Sequence, residues 1–194
     1  MGKELELKYR IGDQEQFSSL CDLLEERYPG NWSQIAMATT YYDTPTGAMG
    51  ARKWTLRVRR ENEDTVVTVK TPASGGARGE WECRGTDPVA AVPRLTEQGA
   101  PKELEVLLCE GVVPVCGAAF TRRAIPVQTG DTVVEVALDT GRLFREDREL
   151  PLCELEVELK EGSEAECAAF AHALAEKFGL TPEPRSKFAR AVSL

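Results

Sequence analysis

Glu154-Leu155-Glu156-Val157-Glu158-Leu159-Lys160 carries an ionisable group at every second position, and Glu4-Leu5-Glu6-Leu7-Lys8 does the same near the start of the chain. Alternate side chains of a strand project to one face. Glu4, Glu6 and Lys8 therefore share a face, with Leu5, Leu7 and Tyr9 on the other. Clustered carboxylates are hard oxygen donors and suit Mg²⁺ or Mn²⁺ over softer metals. A second group has the opposite sign: Arg57 and Arg59 alternate with Leu56 and Val58, and Lys70 shares a face with Thr68. Arginine can take two phosphate oxygens at once, and lysine offers a compact positive charge. Arg78, Glu80, Glu82 and Arg84 form a mixed face, and Glu135 and Asp139 another. An acidic group for metal and a basic group for phosphate would suit polyphosphate chemistry, in which the metal polarises the phosphoryl group and activates water. Catalysis there is largely positioning and charge neutralisation. The chain has one histidine, His172, which argues against a histidine-centred mechanism.

These faces need strands to display them. The first strand spans 2–10, and Ser33 to Tyr42 forms another, closing on Tyr41-Tyr42-Asp43-Thr44-Pro45 with a turn at Pro45-Thr46-Gly47. Trp54 to Arg60 and Val66 to Lys70 read as a hairpin turning at Glu61 to Asp64, and 78–84 as a further strand after a Gly-rich loop at Thr71 to Gly79. Ala118 to Val127, Thr132 to Leu138 and Leu152 to Lys160 complete the set, with turns at Gln128-Thr129-Gly130 and Asp139-Thr140-Gly141. Helices are expected after Asp13, boxed by Gln16, and after Ser163, boxed by Glu166 and stopped by Gly179. Shorter ones follow Asp87-Pro88 and Pro101, and the tail from Pro182 to Phe188 reads as extended and basic. Two architectures accommodate strands with one aliphatic and one ionised face. A sheet can lie on a core and turn its charges to water. Alternatively it curls with the charges inward and its aliphatic faces covered by amphipathic helices. Acids and bases segregate by strand here, whereas solvated faces usually mix polar types.

Composition narrows the function classes. The 194 residues suffice for one well-filled domain, and 1–194 is read as a single domain. No apolar run is long enough to span a membrane, and the start lacks a signal-peptide pattern, so a cytoplasmic location is expected. The six cysteines are scattered without a Cys-x-x-Cys pair, which fits buried thiols rather than zinc or disulfides. A net charge of −8 disfavours nucleic acid and anionic lipid at long range, so no nucleic-acid or membrane partner is expected. The oligomeric state stays open between monomer and homodimer.

As an ordered set, the motifs resemble those of the CYTH superfamily, the triphosphate tunnel metalloenzymes. Glu4-Leu5-Glu6-Leu7-Lys8 is similar to the family's ExExK signature. In matching order follow Tyr41-Tyr42-Asp43-Thr44, Leu56-Arg57-Val58-Arg59, Thr68-Val69-Lys70, Arg78-x-Glu80-x-Glu82 and Phe120-Thr121-Arg122. Ala137-Leu138-Asp139-x-Gly141, Glu154 to Lys160 and Ser186-Lys187-Phe188 complete the series. The resemblance implies an α+β fold: a closed eight-stranded antiparallel β-barrel with a charged interior, flanked by α-helices. It implies Mg²⁺ or Mn²⁺ held by Glu4, Glu6, Asp139, Glu156 and Glu158, with Arg78, Glu80, Glu82 and Glu154 as supporting residues. Lys8, Arg57, Arg59, Lys70, Arg122 and Lys187 would bind substrate, and Glu4, Glu6 and Lys8 would be catalytic. The segment Glu154 to Lys160 and the Ser-Lys-Phe tail are most similar to the bacterial inorganic tripolyphosphatase branch. The implied activity is hydrolysis of inorganic tripolyphosphate to phosphate and pyrophosphate. Alternatives are hydrolysis of an organic triphosphate, such as thiamine triphosphate or a nucleotide, class IV-type adenylyl cyclisation, and a polyphosphate-binding module without turnover.

Overall fold

The computed structural model describes residues 5–30, 32–72 and 79–194. Among the described residues nine strands form one sheet in the order β5-β4-β3-β2-β6-β7-β8-β1-β9, accompanied by six helices. The class is α+β, as expected. Nine strands replace the expected eight because a two-residue segment, β9 (Thr181–Pro182), adds to β1 (Glu6–Arg10), and the sheet's hydrogen-bonded order has ends at β5 and β9. Among the described residues no helix is long and apolar enough to cross a membrane.

The chain divides into two compact units. The first comprises Met1–Ile35, Phe120–Arg142 and Pro151–Ser186. Within it lie β1, helix α1 (Gln14–Arg27) and helix α5 (Glu164–Lys177), together with segments of β6 (Val113–Thr129), β7 (Thr132–Arg145) and β8 (Arg148–Glu161). Both long helices start where their side chains can cap them: Asp13 accepts from the Gln16 amide at 2.8 Å and Ser163 from the Glu166 amide at 3.4 Å. Strand alternation puts Tyr9, Val134, Val136, Leu138, Leu155 and Val157 on one face, buried against Leu20 and Leu24 of α1 and Cys167 and Ala171 of α5. The ionised residues of the same strands necessarily take the opposite face.

The second unit comprises Ala36–Ala119, Leu143–Leu150 and Lys187–Leu194. Strands β3 (Thr55–Glu61), β4 (Asp64–Thr71) and β5 (Gly79–Arg84) form an antiparallel meander beside β2 (Ser33–Asp43). Leu56, Val67 and Val69 pack with Met49 of α2 (Ala48–Ala51), Val92 and Leu95 of α3 (Val92–Glu97) and Leu104 of α4 (Glu103–Leu107). Arg57, Arg59, Thr68 and Lys70 alternate with these core residues and face the other way.

Several boundaries differ from the sequence reading. Asp139-Thr140-Gly141 is not a turn, because β7 runs through it to Arg145; the Asp139 carboxylate bonds Arg122 instead of closing a local backbone turn. The tail is not extended throughout, since Lys187–Val192 is helix α6, anchored by fully buried Ala191 and by Phe188 against Tyr41. Helix α2 was hidden behind Tyr42-Asp43-Thr44-Pro45: Asp43 accepts from the amides of Met49 and Gly50 at 2.9 Å each, binding the end of β2 to this turn of helix. Asp87 accepts from Val89 and Ala90 in a turn, so α3 starts later than its Asp-Pro signal indicates.

Candidate active site

Burial reaches into the polar strand faces of each unit. Asp139, Glu154 and Thr68 are fully buried and Glu156 is 6% exposed, although all lie on polar faces of their strands. A face turned to bulk water would leave them solvated. An ionised group survives such burial only with a counter-charge and hydrogen bonds.

In the first unit that counter-charge is Arg122. Its Nε and Nη2 donate to the two carboxylate oxygens of Asp139 at 2.8 and 2.7 Å, and Nη2 also meets Glu156. Burial works against the guanidinium charge, but the Asp139 hydrogen bond and the charges of Glu156, Asp139 and Glu6 outweigh it and raise the pKa above its usual range. Carboxylate oxygens of Asp139, Glu154 and Glu156 lie within 4.8 Å of one another. Arg122, expected among the phosphate ligands, makes this two-pronged contact with the acidic cluster.

The β1–β8 register brings the other acidic residues together. Glu6 is directly opposite Glu158, Lys8 opposite Glu156, and Arg10 opposite Glu154. Lys8 Nζ lies 3.3 Å from Glu6, while Lys160 Nζ lies 2.8 Å from Glu158 and 3.5 Å from Glu135. Like charges directly opposite on an antiparallel pair destabilise it. A divalent cation beside Glu6 and Glu158 would convert that repulsion into ligation, and an all-oxygen set is what Mg²⁺ or Mn²⁺ takes. The residues present thus fit the expected metal. Glu6 and Glu158, each beside a lysine, and the buried Asp139, Glu154 and Glu156, of which Asp139 and Glu156 also hold Arg122, are the oxygen donors available to it.

The second unit assembles the basic group in cross-strand rows. One row runs Tyr41, Arg57, Thr68, Glu82, and a neighbouring one contains Thr55, Lys70 and Glu80. Glu80 is 2.6 Å from Lys70 Nζ and 3.6 Å from Arg57 Nη2, and Arg59 pairs with Glu61. Arg57 Nε is buried and has no hydrogen-bond partner among the described residues. The Tyr41 ring packs 5.0 Å from that of Phe188, and its hydroxyl lies within the fields of Arg57, its direct cross-strand neighbour, and Lys187. Burial raises the Tyr41 pKa against the opposing pull of Arg57 and Lys187, so the phenol stays neutral. Arg57, Lys70 and Lys187 therefore gather around a small set of shared partners, with Arg59 two residues along the same face.

Glu4 and Arg78 lie outside the described residues. Glu82 is exposed and in register with Thr68. The sequence reading placed Tyr41 and Thr68 in motifs without assigning either a role in the site. Tyr41 packs on Phe188 and is the direct cross-strand neighbour of Arg57; its signal in the sequence was its place two residues before Asp43.

A CYTH domain family model matches residues 2–192. The chain is 27% identical over 172 residues to an inorganic triphosphatase of Haemophilus influenzae, an alignment covering 84% of this chain and 47% of that protein. It thus spans just under half the length of this curated relative. Among solved structures, it is similar to a Hippeastrum protein described as a candidate adenylyl cyclase with a dominant triphosphatase activity, at TM-score 0.67 and 16% identity, covering 99% of this chain and 96% of that one. A Pyrococcus horikoshii protein is similar at TM-score 0.60 and 21% identity, covering 98% of both chains. At these identities the structural likenesses speak to the fold alone.

Proposed function

The chain belongs to the CYTH domain family, and from that premise we propose that it hydrolyses inorganic tripolyphosphate to phosphate and pyrophosphate with Mg²⁺ or Mn²⁺ bound. The observation that carries this reading is the buried cluster of Asp139, Glu154 and Glu156 carboxylates, with Glu6 and Glu158 in register on the adjoining β1–β8 pair, an all-oxygen set that suits a divalent cation. In it Glu6 and Glu158, with Glu4, hold the metal, and Asp139, Glu154 and Glu156 form an acidic surround balanced by Arg122. The metal would polarise the scissile phosphoryl group and supply an activated water. The chain's own cations do the rest. Arg57, Arg59, Lys70 and Lys187 bind non-bridging oxygens. Lys8, opposite Glu156 and next to Glu6, neutralises charge on the leaving pyrophosphate. That one family model spans both compact units supports reading 1–194 as a single domain, and a cytoplasmic location is part of the same proposal.

A second reading, hydrolysis or cyclisation of an organic triphosphate, draws support from the cyclase-like description of the Hippeastrum protein. The test is a phosphate-release panel on the purified chain with tripolyphosphate, ATP and thiamine triphosphate, each with Mg²⁺, Mn²⁺ or EDTA. Tripolyphosphate should be turned over fastest, and only with metal. A preference for ATP or thiamine triphosphate overturns the substrate assignment.

A further inference from the structure

Thr68 lies at the centre of the basic rows yet looks, by type, like an ordinary strand residue. It is fully buried, and its Oγ1 has no hydrogen-bond partner among the described residues. A buried hydroxyl left without a partner costs free energy, so native structures rarely keep one unless something else uses it. Its position is well determined. Val67 and Val69 on either side are fully buried in the apolar core under α3 and α4, which turns Thr68 onto the opposite, ionised face. There its direct cross-strand neighbour is Arg57, whose buried Nε is likewise without a partner, and Lys70 follows two residues along. Two adjacent buried donors therefore lack an acceptor, in a row otherwise made of Tyr41 and Glu82.

A carboxylate acceptor is close at hand, since Glu80 is bound to Lys70 and lies near Arg57 Nη2. It serves neither the Arg57 Nε nor the Thr68 hydroxyl. A valine here would fill the same volume without the polar atom, and both its neighbours along β4 are valines. The group that suits one neutral O–H and one guanidinium N–H side by side is a tetrahedral oxyanion, one of whose oxygens accepts from both.

Resting on the triphosphatase reading above, we propose that Thr68 is a substrate-binding residue whose hydroxyl, paired with Arg57 Nε, donates to a non-bridging oxygen of the bound triphosphate. Tyr41 is the direct cross-strand neighbour of Arg57 on β2, so the ligand site is bounded by Tyr41 on one side and by Thr68 on the other. Hydrogen bonds to a charged acceptor are among the stronger ones, and losing this donor should weaken binding about tenfold to a hundredfold.

The experiment is calorimetric titration of the full chain with inorganic tripolyphosphate in EDTA, where only direct protein contacts hold the ligand. It compares the parent, Thr68→Val, Thr68→Ser and Arg57→Ala, with the melting temperature of each. Thr68→Val should bind at least about tenfold more weakly while melting at or above the parent, because a burdensome buried hydroxyl is gone. Thr68→Ser should bind like the parent. Parent-like binding by Thr68→Val overturns the proposal. So does a drop in melting temperature for Thr68→Val, which would show the hydroxyl satisfied within the fold, and so does equal weakening by valine and serine. If the Arg57→Ala variant loses binding and Thr68→Val does not, the triphosphate site stands and this inference alone fails. If the parent itself binds no tripolyphosphate, the functional reading falls and takes this inference with it.

Discussion

Replacing Arg122 by methionine removes the counter-charge of the buried acidic cluster while keeping most of its volume. Asp139 is fully buried, the Glu156 side chain is 8% exposed and that of Arg122 is 17% exposed, so solvent offers little screening. Removing one partner of such a pair costs about 3–5 kcal/mol, since the remaining charges stay buried without compensation. At about 2–4 °C per kcal/mol for a chain of this size, the melting temperature in EDTA should fall by about 6–20 °C. The vacated space lies among the Asp139, Glu154 and Glu156 carboxylates. A divalent cation can enter there, and at a hundred times its Kd it restores about 2.7 kcal/mol. Melting curves of parent and Arg122→Met, each with EDTA and with Mg²⁺ or Mn²⁺, supply the test. The metal-induced rise should be larger in the variant. A variant that melts within about 2 °C of the parent in EDTA, or that gains no more from metal, would refute the view that Arg122 chiefly neutralises acid.

The remaining predictions follow from the same contacts. Glu6→Gln should lower metal-dependent turnover by about a hundredfold or more in a phosphate-release assay, yet melt at or slightly above the parent in EDTA because the facing Glu158 is relieved of a like charge. Arg57→Ala should raise KM far more than it lowers kcat, and steady-state kinetics at saturating metal would show it. Burial raises the Cys116 thiol to about 11, so the folded state holds a proton that the unfolded chain releases from about 9 upward. Stability contributed there is intact below that pH and declines as pH climbs toward 11. Urea midpoints between those limits should fall for the parent and fall less for Cys116→Ala. In the folded protein a thiol reagent at neutral pH should react first with exposed Cys109 and spare Cys116 and Cys167.

Much of the fold was legible because strand alternation is a direct consequence of backbone geometry. Leu56 and Val58 against Arg57 and Arg59 already fixed which face of β3 would meet the helices. Asp13 and Ser163 marked helix starts through capping bonds that depend only on local chain. Long-range competition was less visible. Asp139-Thr140-Gly141 has turn composition, but a bond to Arg122, 17 residues earlier, keeps it in a strand. Lys187-Phe188 follows a proline-rich run, yet the contact of Phe188 with Tyr41 and the burial of Ala191 belong to a helix. For the candidate site, residue type revealed which groups could hold metal or phosphate. It could not reveal that Arg122 is held by two carboxylates, nor that the Thr68 hydroxyl lacks an internal acceptor, because both depend on which strands are neighbours.

The most direct test of metal-dependent tripolyphosphate hydrolysis is ³¹P nuclear magnetic resonance of tripolyphosphate incubated with the purified chain and Mg²⁺ or Mn²⁺, beside a control in EDTA. One pyrophosphate should appear for each orthophosphate, with no change in EDTA. An unaltered tripolyphosphate spectrum in the presence of either metal, or equal turnover in EDTA, would contradict the assignment.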